Sequence, residues 1–132
     1  MNNKLINKIK KSKEVIIKKG SITLVILNYN RERFIDRAIR SCLDQKSSNR
    51  LINVMVIDDA STDNSLDKIH YYIENINIFS FKKNKGIGYL SNYSLKKAKT
   101  DYWMRVDSDD FIANSAVESM CSILDNNKNY DL

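Results

Sequence analysis

With 132 residues, 42% of them hydrophobic and 29% charged, the chain is in range for one globular domain with a core of modest size; it has no proline and only three glycines, so no linker marks a second domain. The net charge of +6 arises within residues 1 to 20, where seven lysines face Glu14, so the remaining body is neutral and gives no support to a nucleic-acid-binding domain. No apolar run approaches the roughly 20 residues that span a bilayer, and lysines break every stretch that a signal peptide would need, which predicts a cytoplasmic protein.

Residues 1 to 20 form a basic segment in which Leu5, Ile6, Ile9, Ile16 and Ile17 are interspersed with lysines. Such a segment is able to rest on the anionic inner face of a membrane, although a frayed, solvated helix or a connector is the reading favoured for a terminus. The domain proper is expected over 21 to 132. Ile22 to Leu27 is a continuous apolar run, rich in branched residues and as long as a buried strand, and it stops at the polar turn Asn28-Tyr29-Asn30. Phe34, Ile35, Ala38, Ile39, Cys42 and Leu43 then recur at helical spacing, with Glu32, Arg33, Asp36, Arg37 and Arg40 on the other face.

The strand-turn-helix unit repeats. Leu51 to Ile57 predicts a second buried strand that stops at Asp58-Asp59, and Ser61-Thr62-Asp63 supplies capping side chains for a helix carrying Leu66, Ile69, His70 and Ile73. Ile76 to Phe81 alternates apolar and polar residues and predicts a shorter, half-exposed strand. The turn from Asn84 to Gly88 follows, then a helix from about Tyr89 to Lys99. Tyr102 to Val106 predicts the strand that delivers Asp107, Ser108, Asp109 and Asp110, and Asn114 is placed to cap a last helix carrying Val117, Met120, Cys121, Ile123 and Leu124. Cys42 and Cys121 fall in separate predicted helices with no second pair at metal-ligand spacing, so both are expected to be buried free thiols.

Strands alternating with helices predict an α/β layered fold with a mainly parallel sheet, since parallel neighbours need a crossover element between them. In such sheets ligands bind beyond the carboxyl ends of the strands. Three polar turns fall at such ends: Asn28 to Asn30, Asp58 to Ser61 and Asp107 to Asp110. The last places three carboxylates within four residues, and their repulsion at neutral pH calls for a cation, hydrogen bonds or full solvation. Mg2+ takes one or two carboxylates and completes its shell with water and phosphates, so an Asp-x-Asp at a strand end is a candidate holder of a metal-bound diphosphate. A solvated acidic loop before the next helix is the alternative, and the tripeptide by itself does not separate the two.

Four short motifs carry a resemblance. Val25 to Arg31, Val56 to Asp63, Asn84 to Gly86 and Val106 to Asp110, in this order and at these spacings, resemble family 2 glycosyltransferases of the GT-A fold, over nearly all of the chain from about Ser21 onward. The resemblance implies a Rossmann-like GT-A fold, incomplete at the C-terminus, of which this chain is the N-terminal donor-binding half. It further implies metal-dependent, inverting transfer of a sugar from a nucleotide-diphosphate donor, a UDP-sugar for preference, to an unknown acceptor in cell-wall or polysaccharide biosynthesis. By that match Tyr29 lies against the nucleotide base, where a flat aromatic face stacks at little rotamer cost, with Asn30 beside it. Asp59 would accept from the ring N–H of a uracil-like base, Asp58 would support the turn, and Gly86 joins the nucleotide-binding set. Asp109 is matched to the metal, Mn2+ or Mg2+, and Asp107 to the ribose or sugar side and to the metal as well, with Asp110 in a supporting role exchangeable with Asp109. Without the resemblance, Asp58 and Asp59 read equally well as capping residues near a helix N-terminus.

Two positions depart from the family pattern. Ser91 precedes Asn92 where many members carry an arginine, so a diphosphate-facing cation is sought in Lys83, Lys85 or Arg105; Leu27 stands where proline or another small residue is usual, and its bulk bears on the base pocket. An inverting transfer needs a general base, which in the family lies well after the Asp-x-Asp and is expected beyond residue 132. Glu118 and Asp125 read as surface charge and His70 as structural. A non-catalytic nucleotide-sugar-binding or scaffolding fragment therefore stands open beside the transferase, and a signalling receiver ranks below both for want of the later lysine arrangement.

Overall fold

The computed structural model describes residues 20 to 47, 49 to 127 and residue 129. The amphipathic lysine segment, and with it the expected membrane contact, lies outside them. In chain order the elements are β1 (Ile22–Asn28), α1 (Ile35–Leu43), β2 (Ile52–Asp58), α2 (Ser65–His70), β3 (Asn77–Ser80), α3 (Ile87–Lys97), β4 (Tyr102–Asp107) and α4 (Ala116–Asn126). The strands form one parallel sheet in the order β3-β2-β1-β4. No helix among the described residues is long and apolar enough to cross a membrane.

β1 is buried along its whole length, as its unbroken branched apolar sequence requires of a strand covered on both faces. Because side chains alternate across a strand, Ile22, Leu24 and Ile26 point one way and join Val54, Val56 and Val106 against Ile35, Ala38, Ile39 and Cys42 of α1, Ile69 of α2, and Val117 and Cys121 of α4. Val25 and Leu27 point the other way and, with Met55 and Ile57, meet Leu90 of α3. Each branched side chain so withdrawn from water contributes about 2 kcal/mol. The third strand is short and half-exposed as expected, and it lies at the edge of the sheet.

Several boundaries shift for local reasons. α2 stops at His70, because Tyr72 N–H and Ile73 N–H bond back to Ile69 and His70 carbonyls in a tightened last turn. That turn rotates Ile73 into solvent and puts Tyr72 in the core instead, while His70 is exposed rather than structural. The Tyr72 hydroxyl donates to Asp36 and accepts from Arg40 Nε at 3.0 Å, fastening α2 to α1. α3 begins at Ile87, two residues before the expected start, because Gly86 at φ +82° turns the chain into it. Ser115 rather than Asn114 precedes α4, and the Asn114 carbonyl instead accepts from Lys46 N–H at 2.9 Å. Both cysteines are buried free thiols; burial pushes the Cys42 thiol up to about 12 and raises that of Cys121 as well, which makes them poor nucleophiles.

Glu118 and Asp125 are not simple surface charge. The fully buried Arg50 side chain donates from Nη2 to Asp125 Oδ2 at 2.7 Å and from Nη1 to the Gly20 carbonyl, and its Nε lies 3.6 Å from Glu118. Asp125 Oδ1 also accepts from the Tyr102 hydroxyl at 2.9 Å. The cluster ties the entries of β1, β2 and β4 to the end of α4, at the opposite end of the sheet from the strands' carboxyl ends. A carboxylate on the polar face of a helix looks solvated in sequence because its partner is 75 residues away. Burial by itself would raise the Asp125 carboxyl, but the Arg50 guanidinium and the Tyr102 hydroxyl outweigh it and hold it below the ordinary carboxylate range.

A carboxylate with a depressed folded pKa stabilises the protein above its unfolded pKa of about 3.9, and that contribution is lost as pH falls through the folded value. Arg50→Met is therefore expected to lower stability at neutral pH by about 2 kcal/mol, discounted for the partial exposure of Asp125. In urea denaturation followed from neutral to acid pH, the variant should also lose less stability than the parent chain below about pH 4. Parallel pH curves for the two would contradict the pairing.

Candidate functional site

The register sets the strand ends side by side: Asn28 pairs with Asp58 across β1 and β2, and Leu27 pairs with Asp107 across β1 and β4. From β1 the chain winds outward to β2 and β3, then returns to place β4 on the other side of β1. The switch in direction falls between β1 and β4, where an open sheet leaves a crevice at its carboxyl edge. A cleft of about 310 Å³ opens there, lined by Leu27 and Asn28 at the end of β1, Tyr29 and Arg31 after it, Asp59 after β2, Ile87 and Leu90 of α3, Asp107 at the end of β4, and Ser108 and Asp109 after it. Three loops predicted separately thus meet on one rim.

Buried polar side chains join the first two loops. Asn28 Nδ2 donates to Asp58 Oδ1 at 2.8 Å and to Ser61 Oγ at 3.1 Å, while the Ser61 N–H and hydroxyl both donate to the Asp58 carboxylate at 2.9 and 2.5 Å. Asn30 N–H donates to Ser61 Oγ at 2.9 Å, and Asn30 Oδ1 accepts from Thr62 N–H at 2.7 Å. Asn30 and Ala60 sit at φ +51° and +64°, a left-handed conformation that costs of order 1 kcal/mol for residues with a Cβ and is held here by those bonds. Asp58 and Asn30 accordingly stand behind the cleft wall, and Tyr29, half-exposed, stands on it.

Asp59 is almost fully buried yet lines the cleft. Its carboxylate accepts from Lys85 N–H at 2.7 Å and Gly86 N–H at 2.9 Å. The conformation of Gly86, closed to L side chains, belongs to that arrangement. The Asp59 carboxylate thus fastens the turn before α3, and caps neither that helix nor the one that directly follows Asp59. Gly86 reaches the site through this contact, while its neighbour Ile87 forms the wall.

In the acidic turn, closed by Asp110 N–H bonding to the Asp107 carbonyl at 3.0 Å, Asp107 and Asp109 line the cleft. Both carboxylates are half-exposed, and each meets an arginine: Arg105 Nε lies 3.1 Å from Asp107 and Arg31 Nε lies 3.4 Å from Asp109. Arg37 Nη2 holds the Asp109 carbonyl at 2.8 Å. Among the cleft-lining residues the cation is Arg31, in place of the expected Lys83, Lys85 or Arg105; Lys85 contributes its backbone amide, and Arg105 approaches from β4. Nor did the sequence assign an individual role to Asn28, Ile87, Leu90 and Ser108, although Asn28 and Ser108 lie in the polar turns that it marks. For Arg31 and Asn28 the signal was available, since both flank Tyr29-Asn30 at the strand end.

No three His, Cys, Asp or Glu side chains gather into a metal cage among the described residues. Asp107 and Asp109 fit a hard cation of another kind. Two half-exposed carboxylates on the edge of a cleft supply one or two oxygens and leave the other positions to phosphates and water.

The parallel four-stranded sheet with flanking helices matches the Rossmann-like GT-A fold of Staphylococcus aureus TarS. The chain belongs to glycosyl transferase family 2, whose sequence profile matches residues 23–131. It is 36% identical over 106 residues to an uncharacterized glycosyltransferase of Haemophilus influenzae, covering 78% of this chain and 42% of that protein. It is 35% identical over 100 residues to a poly(ribitol-phosphate) beta-glucosyltransferase of Bacillus spizizenii, covering 73% of this chain and 16% of the relative. Among solved structures, residues 1-349 of Staphylococcus aureus TarS in complex with UDP superpose with a TM-score of 0.75 at 27% identity, covering 82% of this chain and 33% of that one. The chain thus spans less than half the length of these relatives.

Proposed function

We propose that this chain is the donor-binding portion of an inverting, metal-dependent family 2 glycosyltransferase that takes a UDP-sugar and passes its sugar to an acceptor hydroxyl. The observation that carries this reading is the meeting of Asp59, from the loop after β2, and Asp109, from the loop after β4, on one cleft. Its support in the relatives is the UDP held by TarS in a fold that this chain shares.

Tyr29 is placed to stack on the base. The Asp59 carboxylate, oriented by two backbone amides, keeps acceptor capacity for a ring N–H. Asn30, Asp58 and Gly86 hold these two in position, Asp107 serves the ribose or sugar side, and Arg31 lies where it meets diphosphate charge. Mn2+ or Mg2+ held by Asp109 and Asp107 would neutralise charge on the departing diphosphate. As the acceptor oxygen bonds to the anomeric carbon, the bond to the diphosphate breaks and the acceptor's proton passes to a base. That base is assigned to the part of the enzyme corresponding to the relatives' additional length.

Calorimetry tests the reading. The chain is expected to bind UDP in the presence of Mn2+, to release it on addition of EDTA, and to show little donor hydrolysis alone. Absence of binding with Mn2+ present overturns the proposal.

A further inference from the structure

Between Glu74 and Asp101 the sequence carries six lysines, Lys82, Lys83, Lys85, Lys96, Lys97 and Lys99, and no acidic residue. In a body of balanced charge this concentrates positive potential along β3, its following turn and α3. The same elements carry a ladder of four aromatic rings in edge-on contact, with centroids 5.5 Å apart for Phe79 and Tyr93, 5.2 Å for Tyr93 and Phe81, and 5.6 Å for Phe81 and Tyr89. A lysine stands over each end. Lys97 Nζ lies 5.8 and 5.4 Å from the Phe79 and Tyr93 centroids, and Lys85 Nζ lies 5.7 Å from that of Tyr89. The Lys85 end is the rim of the cleft, since the backbone amide of Lys85 holds Asp59.

We propose that this lysine-studded aromatic ladder along β3 and α3 is the docking track of an anionic polymer chain, which it leads to the rim of the donor cleft. Phosphate or carboxylate groups repeated along a flexible chain match a row of ammonium groups, and sugar or polyol carbons between them match the aromatic floor. The form of the patch favours a chain over a bilayer. Phe79, Phe81 and Tyr93 are only partly exposed and do not protrude. The exposed aliphatic residues of α3, Ile87 and Leu95, fall by helical spacing on the flank away from Tyr89 and Tyr93, so lysines and aliphatics do not combine into one inserting face. The track rests on the transferase reading only in making the polymer the acceptor.

The test measures binding of short linear polyphosphate to the whole chain in EDTA. Variants are Lys96→Gln/Lys97→Gln/Lys99→Gln on the track and Lys8→Gln/Lys10→Gln/Lys11→Gln/Lys13→Gln in the basic segment. The track variant is expected to bind about tenfold more weakly at moderate salt and to show a shallower salt dependence, with an unchanged unfolding midpoint and unchanged UDP affinity. Neutral dextran should not bind. Full polyphosphate affinity in the track variant, loss confined to the segment variant, or binding to phosphatidylglycerol vesicles with none to polyphosphate would each overturn the proposal. UDP binding is read separately, so failure of the donor site and failure of the track are distinguishable.

Discussion

Asp109→Ala is expected to weaken Mn2+-dependent UDP binding about a hundredfold or more, with the unfolding midpoint unchanged. The separation of the two effects follows from the surroundings of this side chain. Asp109 is half-exposed, and its carboxylate is engaged by Arg31 at 3.4 Å across the cleft, in an ion pair that solvent screens and that adds little to stability. The bond that fixes the turn, from Arg37 to the Asp109 carbonyl, uses the backbone and survives the substitution. Under the proposed assignment of the metal to Asp107 and Asp109, removing the carboxylate takes away one of two hard oxygen ligands and leaves the fold alone. Asp110→Ala, outside the cleft lining, serves as the control and should bind as the parent does. Calorimetry in Mn2+ reads the affinities; equal loss in both variants, or loss in Asp110→Ala alone, would move the metal to Asp110.

Asp58→Ala acts on the fold and the site together, and is expected to cost about 3 kcal/mol of stability. The Asp58 carboxylate is buried and accepts from Asn28 Nδ2, Ser61 N–H and the Ser61 hydroxyl. Its removal strands buried donors on both loops and loosens Ser61, which follows the left-handed Ala60 and whose hydroxyl oxygen accepts from the N–H of the left-handed Asn30. Because Tyr29 and Asp59 are the immediate neighbours of this joint, UDP affinity should fall as well, even where the variant is fully folded. Urea denaturation gives the first quantity and a titration at low temperature the second. A loss under about 1 kcal/mol would mean that the joint is solvated and that Asp58 does not organise the rim.

The elements legible in the sequence are those whose signal is local. β1 and β2 are unbroken branched runs, α1 carries its apolar side chains at helical spacing, and each strand stops at a polar turn, so sheet, helices and the edge that carries the site all followed from periodicity. The acidic side chains fall at those turns, while their roles were implied by the resemblance to family 2 glycosyltransferases. Contacts between distant segments were not. Arg50 and Asp125 look like ordinary surface charges until the entries of three strands are placed around them, and Asp59 looks like a cap for α2 until the turn before α3 is folded back onto it. Arg31 flanks Tyr29-Asn30 in the sequence, but that it faces the acidic turn, far along the chain, shows only in the fold. Residues Tyr72 and Ile73 exchanged places because one tightened turn at the end of α2 shifts the helical phase, a change too small for spacing to reveal.

The convergence of the three strand-end loops on one diphosphate site is tested most directly by following the UDP titration through backbone amide resonances, first with Mg2+ and then with trace Mn2+. UDP is expected to shift Tyr29, Arg31, Asp59 and the turn at Lys85 to Ile87 together, and Mn2+ to broaden the amides of Asp107 to Asp109 most strongly, with UDP present. Shifts confined to one loop, or broadening centred on acidic residues away from the cleft such as Asp36 and Asp44, would contradict it.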